Sequence, residues 1–225
     1  MSFWTPVALS FELAVVTTAV LLVAGLPLAC WLALGRGRLR ALVRAVASLP
    51  LVLPPTVLGF YLLILLGPAG VLGRWLESAT GTRLVFSFPG LVVGSAIYSL
   101  PFMVQPIENA LAALPASLSE ASWTLGKSRR ETLRRVLLPN ARGGVLTGAL
   151  LCFAHTIGEF GVVLMIGGGI PGRTRVASVA LFNEVEAMDY RAARLHALAL
   201  LAAVLPVLLA LELYRSRSSS EALPR

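Results

Sequence analysis

Five apolar blocks dominate this chain and leave few folds open to it. They occupy residues 8–34, 41–66, 86–104, 145–166 and 195–213, each near the ~20 residues that a helix needs to cross a bilayer. Inside lipid every backbone amide and carbonyl must find its partner within the protein, which restricts spanning structures to helices and closed barrels. Barrel strands alternate apolar and polar residues, and these blocks do not. The blocks predict an all-α, polytopic membrane helix bundle with about five transmembrane helices, a single domain over residues 1–225. Charged residues are only 13% of the chain, roughly half the share found in soluble domains, as this reading requires.

The formal net charge of +8 would suggest nucleic acid in a soluble protein. Here the arginines fall between apolar blocks, so they read as topology determinants in a lipid bilayer, and nucleic acid is excluded as a partner. With Met1 outside, thirteen of the nineteen basic residues lie on the inner side, within 36–44, 127–142 and 215–225. Arg74, Arg83, Arg173, Arg175, Arg191 and Arg194 lie outside. The positive-inside rule therefore predicts an outer N-terminus, a cytoplasmic C-terminus and a cytoplasmic loop over residues 108–141. Cys30 ends the stretch "LPLAC", but no basic segment precedes it and the apolar block continues past it, so no cleaved signal is expected. Cys30 and Cys152 read as small hydrophobes.

Two blocks carry residues that a plain span does not need. Pro50, Pro54 and Pro55 interrupt the second block and predict a kink or a break. Pro101 and Pro106 sit near the inner end of the third. Proline-interrupted helices persist where the freed carbonyls face protein or a water-filled cavity, so Pro54, Pro55 and Thr56 point to a transport path, with an ordinary kink as the alternative. The fourth block holds His155 and Glu159, whose i,i+4 spacing puts them on one helical face. An ionisable group inside a span is a functional candidate. A carboxylate would repel an anion, so Glu159 is expected to gate or brace, paired with backbone, with His155 or with an arginine of a neighbouring helix. For His155, simple packing is an equal alternative. No arginine or lysine falls deep in a block, which leaves backbone amides, helix ends and the hydroxyls of Thr56, Ser95, Tyr98, Ser99 and Thr147 as anion ligands. His155 and Glu159 are too sparse for a metal site. No catalytic constellation is present, which makes a membrane enzyme the weaker alternative. The pairs Gly90–Gly94 and Gly144–Gly148 have the small-xxx-small spacing that lets helices approach closely. Residues 176–190 fit either an outer surface helix or a segment dipping into the bilayer.

The most charged stretch is "EASWTLGKSRRETLRRVLLPN", residues 120–140. Ser117 and Glu120 form a capping box that predicts a helix from about Leu118, with Leu118, Ala121, Ser122 and Leu125 along one face and Trp123 beside it. Gly126 should stop that helix. Ser128 and Glu131 form a second box, and the second helix should end before Pro139. "GKS" at 126–128 mimics the end of a phosphate-binding P-loop. However, Ala121 stands where the first glycine belongs, and helix is predicted where that motif needs a strand. On periodicity alone, a surface helix lying on anionic headgroups would fit this loop too.

The residue pattern says more. Glu120, Ala121, Ser122, Gly126, Val136, Leu138 and Pro139 follow E-A-A, three residues, G, nine residues, I, one residue, L-P, with only Ser122 and Val136 departing mildly. This resembles the cytoplasmic signature of binding-protein-dependent ABC importer permeases. The resemblance implies a coupling helix over residues 119–126 that docks into a cleft of a cytoplasmic ATPase, with Ser119, Glu120, Ala121, Ser122, Trp123, Leu125, Gly126, Leu138 and Pro139 as coupling residues. The stretches "LPLVLPPTVLGF" (49–60) and "FAHTIGEFGVVLMIGGGIPG" (153–172) resemble permeases for tetrahedral oxyanions. The G-E-F-G core is shared by the sulfate and molybdate branches, and the L-P-P-T-V run looks closer to the molybdate and tungstate branch. A path or gate built from Pro54, Pro55, Thr56, His155, Gly158, Glu159, Phe160 and Gly161 is the expectation. The resemblance further implies a homodimer in a prokaryotic plasma (inner) membrane, an ABC ATPase dimer beneath and an extracytoplasmic oxyanion-binding protein above. ATP-Mg would be used by the ATPase, with no cofactor, metal or catalytic residue in this chain. Sulfate or tungstate import is the near alternative, and a self-powered secondary transporter the distant one.

Overall fold

The computed structural model describes residues 3–35 and 37–221, so Arg36 and Arg225, counted above with the inner basic residues, lie outside the described residues. The chain opens with α1 (Trp4–Ala33), an unbroken helix that carries Pro27 inside it. Next come α2 (Arg38–Ser48), a 3-10 turn at Leu49–Leu51 and α3 (Pro55–Leu66). The short α4 (Val71–Thr80) leads into the long α5 (Phe88–Ala112). Two short helices, α6 (Ala116–Thr124) and α7 (Arg129–Thr132), follow; a π turn at Leu133–Leu137 then runs into α8 (Leu138–Asn140). The remaining elements are α9 (Arg142–Gly158), α10 (Gly161–Gly167), α11 (Ala177–Glu186) and α12 (Tyr190–Glu221). All regular elements among the described residues are helical. Three helices (α1, α5 and α12) can cross a membrane unaided, and five crossings result if two bent pairs each count as one.

The apolar blocks are therefore not all straight spans. Block 41–66 bends by 113° between the Arg38–Leu51 and Pro55–Leu66 segments. Pro54 occupies the N-cap of α3 and Pro55 its first turn, where a missing backbone N–H costs nothing. The expected break is thus a clean helix start. Block 145–166 divides at Glu159 into α9 and α10, a break that the sequence reading placed inside one helix. Blocks three and five extend further than their apolar cores, to Ala112 and Glu221.

Packing centres on α1, α5 and α9, which contact one another. The α1 seam is periodic: Ser10, Leu13, Ala14, Thr17, Leu21, Gly25, Ala29 and Leu32 are all buried. In lipid, apolar side chains gain little by facing protein, so a buried seam is marked by small residues that permit close approach rather than by hydrophobicity. Met103, Val104, Ile107 and Leu111 of α5 meet this seam together with Cys152 of α9. A second cluster joins Leu13 and Leu91 to Val163, Val176 and Val179, and a third joins Leu62 and Leu66 of α3 to Val162 and Ile166 of α10. By contrast, α12 lies against α9 and α11 along one side and leaves Leu198, Leu201, Leu205, Leu209 and Leu213 exposed.

Residues 176–190 resolve into α11, whose first turn is buried. The Ser10 hydroxyl accepts the Ala177 N–H at 2.9 Å, so α1 supplies a cap that α11 does not carry itself. At the end that the arginines assign to the cytoplasm, Arg44 pairs with the largely buried Glu108 at 2.5 Å and donates to the Leu32 carbonyl at 3.3 Å. This ties α2 to α5 and to the last turn of α1.

Candidate functional site

Two stretches far apart in sequence are brought together by α3 and α10. A Cβ added at Gly161 would lie 2.7 Å from Cβ of Pro55, and one at Gly59 would lie 2.8 Å from Cβ of Met165. Only glycine permits that approach. The contact places Pro55 and Thr56 beside Gly158, Glu159, Phe160 and Gly161, and all six line a cavity of about 430 Å³ together with Tyr98, Ala154, His155 and Val204. Seven of the eight residues expected in a path thus share one cavity; Pro54 is not among its lining residues. Tyr98 was expected only as a hydroxyl, and Val204 carries no sequence signal, because an aliphatic residue on an apolar helix looks like any other.

Of the pairings open to Glu159, that with His155 does not occur. His155 Nδ1 lies 2.9 Å from the Ser99 hydroxyl, which lies 3.0 Å from that of Thr156. Thr156 spends its proton on the Cys152 carbonyl at 2.9 Å. Ser99 therefore donates to Thr156 and accepts from Nδ1–H, which sets the histidine tautomer. The ring stacks on Phe102 with centroids 4.0 Å apart and meets Tyr98 at 4.7 Å. His155 both packs and faces the cavity.

Glu159 is not part of a continuous helix. Its backbone is extended (φ −65°, ψ 136°) between α9 and α10, so i,i+4 geometry no longer applies at this position. The Ser178 hydroxyl donates to its carbonyl at 2.5 Å, bracing the break from the first turn of α11. The side chain is 4% exposed, and neither carboxyl oxygen has a hydrogen-bond partner among the described residues; the buried Ser95 hydroxyl is likewise unpartnered. Nor is the arginine alternative realised, since no arginine among the described residues pairs with the carboxyl. No cation among the described residues is arranged to hold a negative charge, and the Ser95 hydroxyl acts on the carboxyl without closing a full hydrogen bond, so a neutral isostere should serve as well. Glu159→Gln is expected to retain at least about half of wild-type transport, because an unpaired buried charge is costly whereas an amide is tolerated. Loss of uptake with normal protein levels in the membrane would show that the carboxylate itself is needed.

A second cavity, of about 380 Å³, is lined by Gln105, Asn109, Thr147 and Arg215 among others. Arg215 also approaches Glu212 at 3.6 Å. The cation comes from the end of α12 rather than from the depth of a span.

The loop of residues 113–141 forms the second feature. The expected Ser117 cap is absent: α6 starts at Ala116 with Pro115 as N-cap and no side-chain cap. Proline fixes φ near the helical value and supplies the start instead. Half of the second box forms, with Ser128 accepting from the Glu131 N–H at 3.3 Å. The Glu131 carboxylate turns to Lys127 at 2.9 Å and Arg135 at 3.0 Å, and its hydrogen bond from Lys127 holds its pKa below the usual carboxylate range. Gly126 ends α6 with φ +76°. Its N–H reaches the Trp123 carbonyl at 2.9 Å, and that of Lys127 reaches Ser122 at 3.1 Å, the paired bonds of a Schellman stop.

Nor does the second helix end before Pro139. The chain passes through it by widening to a π turn, in which the Leu138 N–H bonds the Leu133 carbonyl. The wider turn relieves the clash of a proline ring with the preceding turn. Ser119 and Leu138 are half-buried, whereas Glu120, Ala121, Trp123, Leu125, Gly126 and Pro139 are exposed. Ser122 is buried, and its hydroxyl lies 2.9 Å from that of Thr132. Because Thr132 donates to the Ser128 carbonyl at 3.0 Å, Ser122 is the donor between them, and it locks α6 to α7. Ser122→Ala should cost about 1 kcal/mol locally, seen as faster amide exchange over residues 122–132. Unchanged exchange would remove the bond from the account.

The family model "Binding-protein-dependent transport system inner membrane component" matches residues 25–217. The chain belongs to that family. Among the family's curated relatives, the molybdenum transport system permease protein ModB of Azotobacter vinelandii is 50% identical over 94% of this chain and 92% of its own length. ModB of Escherichia coli K12 is 37% identical over 65% of this chain and 64% of its own. A probable sulfate transport system permease protein of Chlorella vulgaris is 35% identical over 76% of this chain and 64% of its own. In fold, this family member is similar to a chain of the MetNI methionine ABC transporter in an inward-facing conformation (TM-score 0.67, 20% identity, 93% of this chain and 91% of that one). It also resembles a chain of a bacterial alginate ABC transporter crystallised with a periplasmic protein carrying an alginate pentasaccharide (TM-score 0.67, 16% identity, 91% and 76%). Like its family, the chain is a multi-pass inner-membrane transporter component.

Proposed function

We propose that this chain is the membrane permease of an ATP-driven, binding-protein-dependent importer of a tetrahedral oxyanion, molybdate above others. The observation that carries the substrate is the 50% identity to a molybdenum permease over nearly the whole chain. The geometry supports the mode of action. An exposed knob, α6, is locked to α7 and ends in a glycine stop, which gives a cytoplasmic ATPase a rigid element to grip. The cavity at Pro55, Thr56 and Glu159 sits between broken helices, where uncommitted backbone can line a path.

The chain works as a homodimer, with the path near the two-fold axis and the exposed leucines of α12 facing the second copy or lipid. Two ATPase subunits bind ATP-Mg, and this chain holds neither cofactor nor metal. Closure of the ATPase dimer draws the two α6 helices together, and the bundles rock from inward-open to outward-open. An external binding protein delivers the anion, and hydrolysis resets the cycle. Such a shift requires a partner that contacts the two states differently, and α6 provides that contact. Weak ligands such as the Thr56 and Tyr98 hydroxyls suit a route that must release its cargo.

The test is uptake of labelled molybdate into proteoliposomes holding the permease, its ATPase and the binding protein, competed with tungstate and sulfate. Uptake is expected to need ATP and to be competed by tungstate far better than by sulfate. Preferential competition by sulfate would favour the sulfate reading, to which the Chlorella relative lends support. Uptake driven by an ion gradient alone would overturn the ATP-driven reading.

A further inference from the structure

Some cations of the inner face are paired and others are not; among the described residues, the unpaired Arg38 and Arg142 do not line the groove at the end of α1. Arg44 is paired with Glu108, while Lys127 and Arg135 share Glu131. Arg129, Arg130 and Arg134 have no carboxylate partner among the described residues, and Arg40 lies over the Trp31 ring at 5.0 Å. These four arginines line one groove of about 1070 Å³ between the end of α1 and the α6–α7 knob. Glu120 is the single carboxylate lining it. Uncompensated guanidinium groups around one groove call for an anion.

The floor of the groove identifies the kind of anion. Leu26 and Pro27 of α1 line it, as do Leu133 and Leu137. Leu26 is seven residues from the end of α1, about 10 Å deeper along the axis, within the apolar block. The groove therefore runs from the hydrocarbon to the headgroup level and changes from apolar to basic along the way. Trp31, near the end of α1, also lines it, and an indole favours the membrane–water boundary. A soluble protein surface cannot follow this groove into the bilayer, and an inorganic anion leaves its apolar part empty.

We propose that the groove binds one anionic phospholipid, its phosphate held among Arg40, Arg129, Arg130 and Arg134 and an acyl chain laid along Leu26 and Pro27. The lipid bridges a membrane-spanning helix to the knob through which the ATPase is proposed to act. The site is independent of which anion is transported.

Native mass spectrometry of the full chain in mild detergent, with added phosphatidylglycerol or phosphatidylcholine, tests this directly. One phosphatidylglycerol per chain should survive collision energies that strip phosphatidylcholine. The R129Q/R130Q/R134Q variant should retain it at least about tenfold less, since each basic side chain contributes separately to holding an anionic lipid. Equal retention of both lipids by the wild-type chain, a reading that needs no variant to fold, would overturn the site. So would a phosphatidylglycerol preference unchanged in the variant. A third overturning result would come from nanodiscs made only of phosphatidylcholine. If the variant lost the ATPase there while the wild type kept it, the arginines would belong to a protein-docking surface instead.

Discussion

ATP-dependent uptake should fall to near background when Gly126 is replaced by valine, although the protein should still reach the membrane. Gly126 holds φ at +76°, a region that costs an ordinary residue roughly 1–2 kcal/mol and a β-branched residue more. The two bonds closing α6 depend on that conformation: Gly126 N–H to Trp123 and Lys127 N–H to Ser122. Without them the last turn of α6 unwinds, and Trp123 and Leu125, exposed by 49% and 79%, no longer present a fixed surface. A docking energy reduced by 1–2 kcal/mol is about a tenfold loss of affinity. Co-purification of the ATPase should drop in parallel. Gly126→Asn is the informative companion, because asparagine tolerates the left-handed region and should keep much of the activity. Full transport by the valine variant would sink the coupling role of this corner.

Gly148→Leu should abolish accumulation of folded protein, and Gly148→Ala should already lower the melting temperature in detergent. A Cβ at Gly148 would come 2.7 Å from the Met103 carbonyl oxygen, and one at Gly144 would come 2.3 Å from the Ala110 Cβ. The α5 and α9 backbones touch here, and the obstacle is main chain that cannot rotate aside. Overpacking a tight site costs about 1–3 kcal/mol even for small additions. In lipid no hydrophobic force drives the helices together again once they part. Moving α5 away would also open the cluster of Met103, Val104 and Ile107 against α1. An unchanged melting temperature for the alanine variant would show that the helices are not this close.

Much of this molecule was legible in its residues. The spans, the Gly144–Gly148 contact, the Gly126 stop and the Ser128 cap each rest on local rules that a short window satisfies. The errors also have local causes. Ser117 had the right spacing for a cap, but Pro115 two residues earlier fixed the helix start first. The second helix runs on through Pro139, because a π turn absorbs the ring. The separation of His155 from Glu159 followed from the helix break, and nothing in an apolar run ending "TIGEFG" announces that α11 will brace an extended residue there through Ser178.

From sequence alone come the helical membrane class, through apolar length, and the family, through the motif resemblance of residues 120–139, because both are written along the chain, whatever the packing. The tertiary structure decided which residues meet. It put Thr56 beside Glu159, left that carboxyl without a hydrogen-bond partner among the described residues, and gathered four arginines onto one groove. Those outcomes depend on how closely helices approach, which is set by glycines facing backbone a hundred residues away, and no local pattern records the partner.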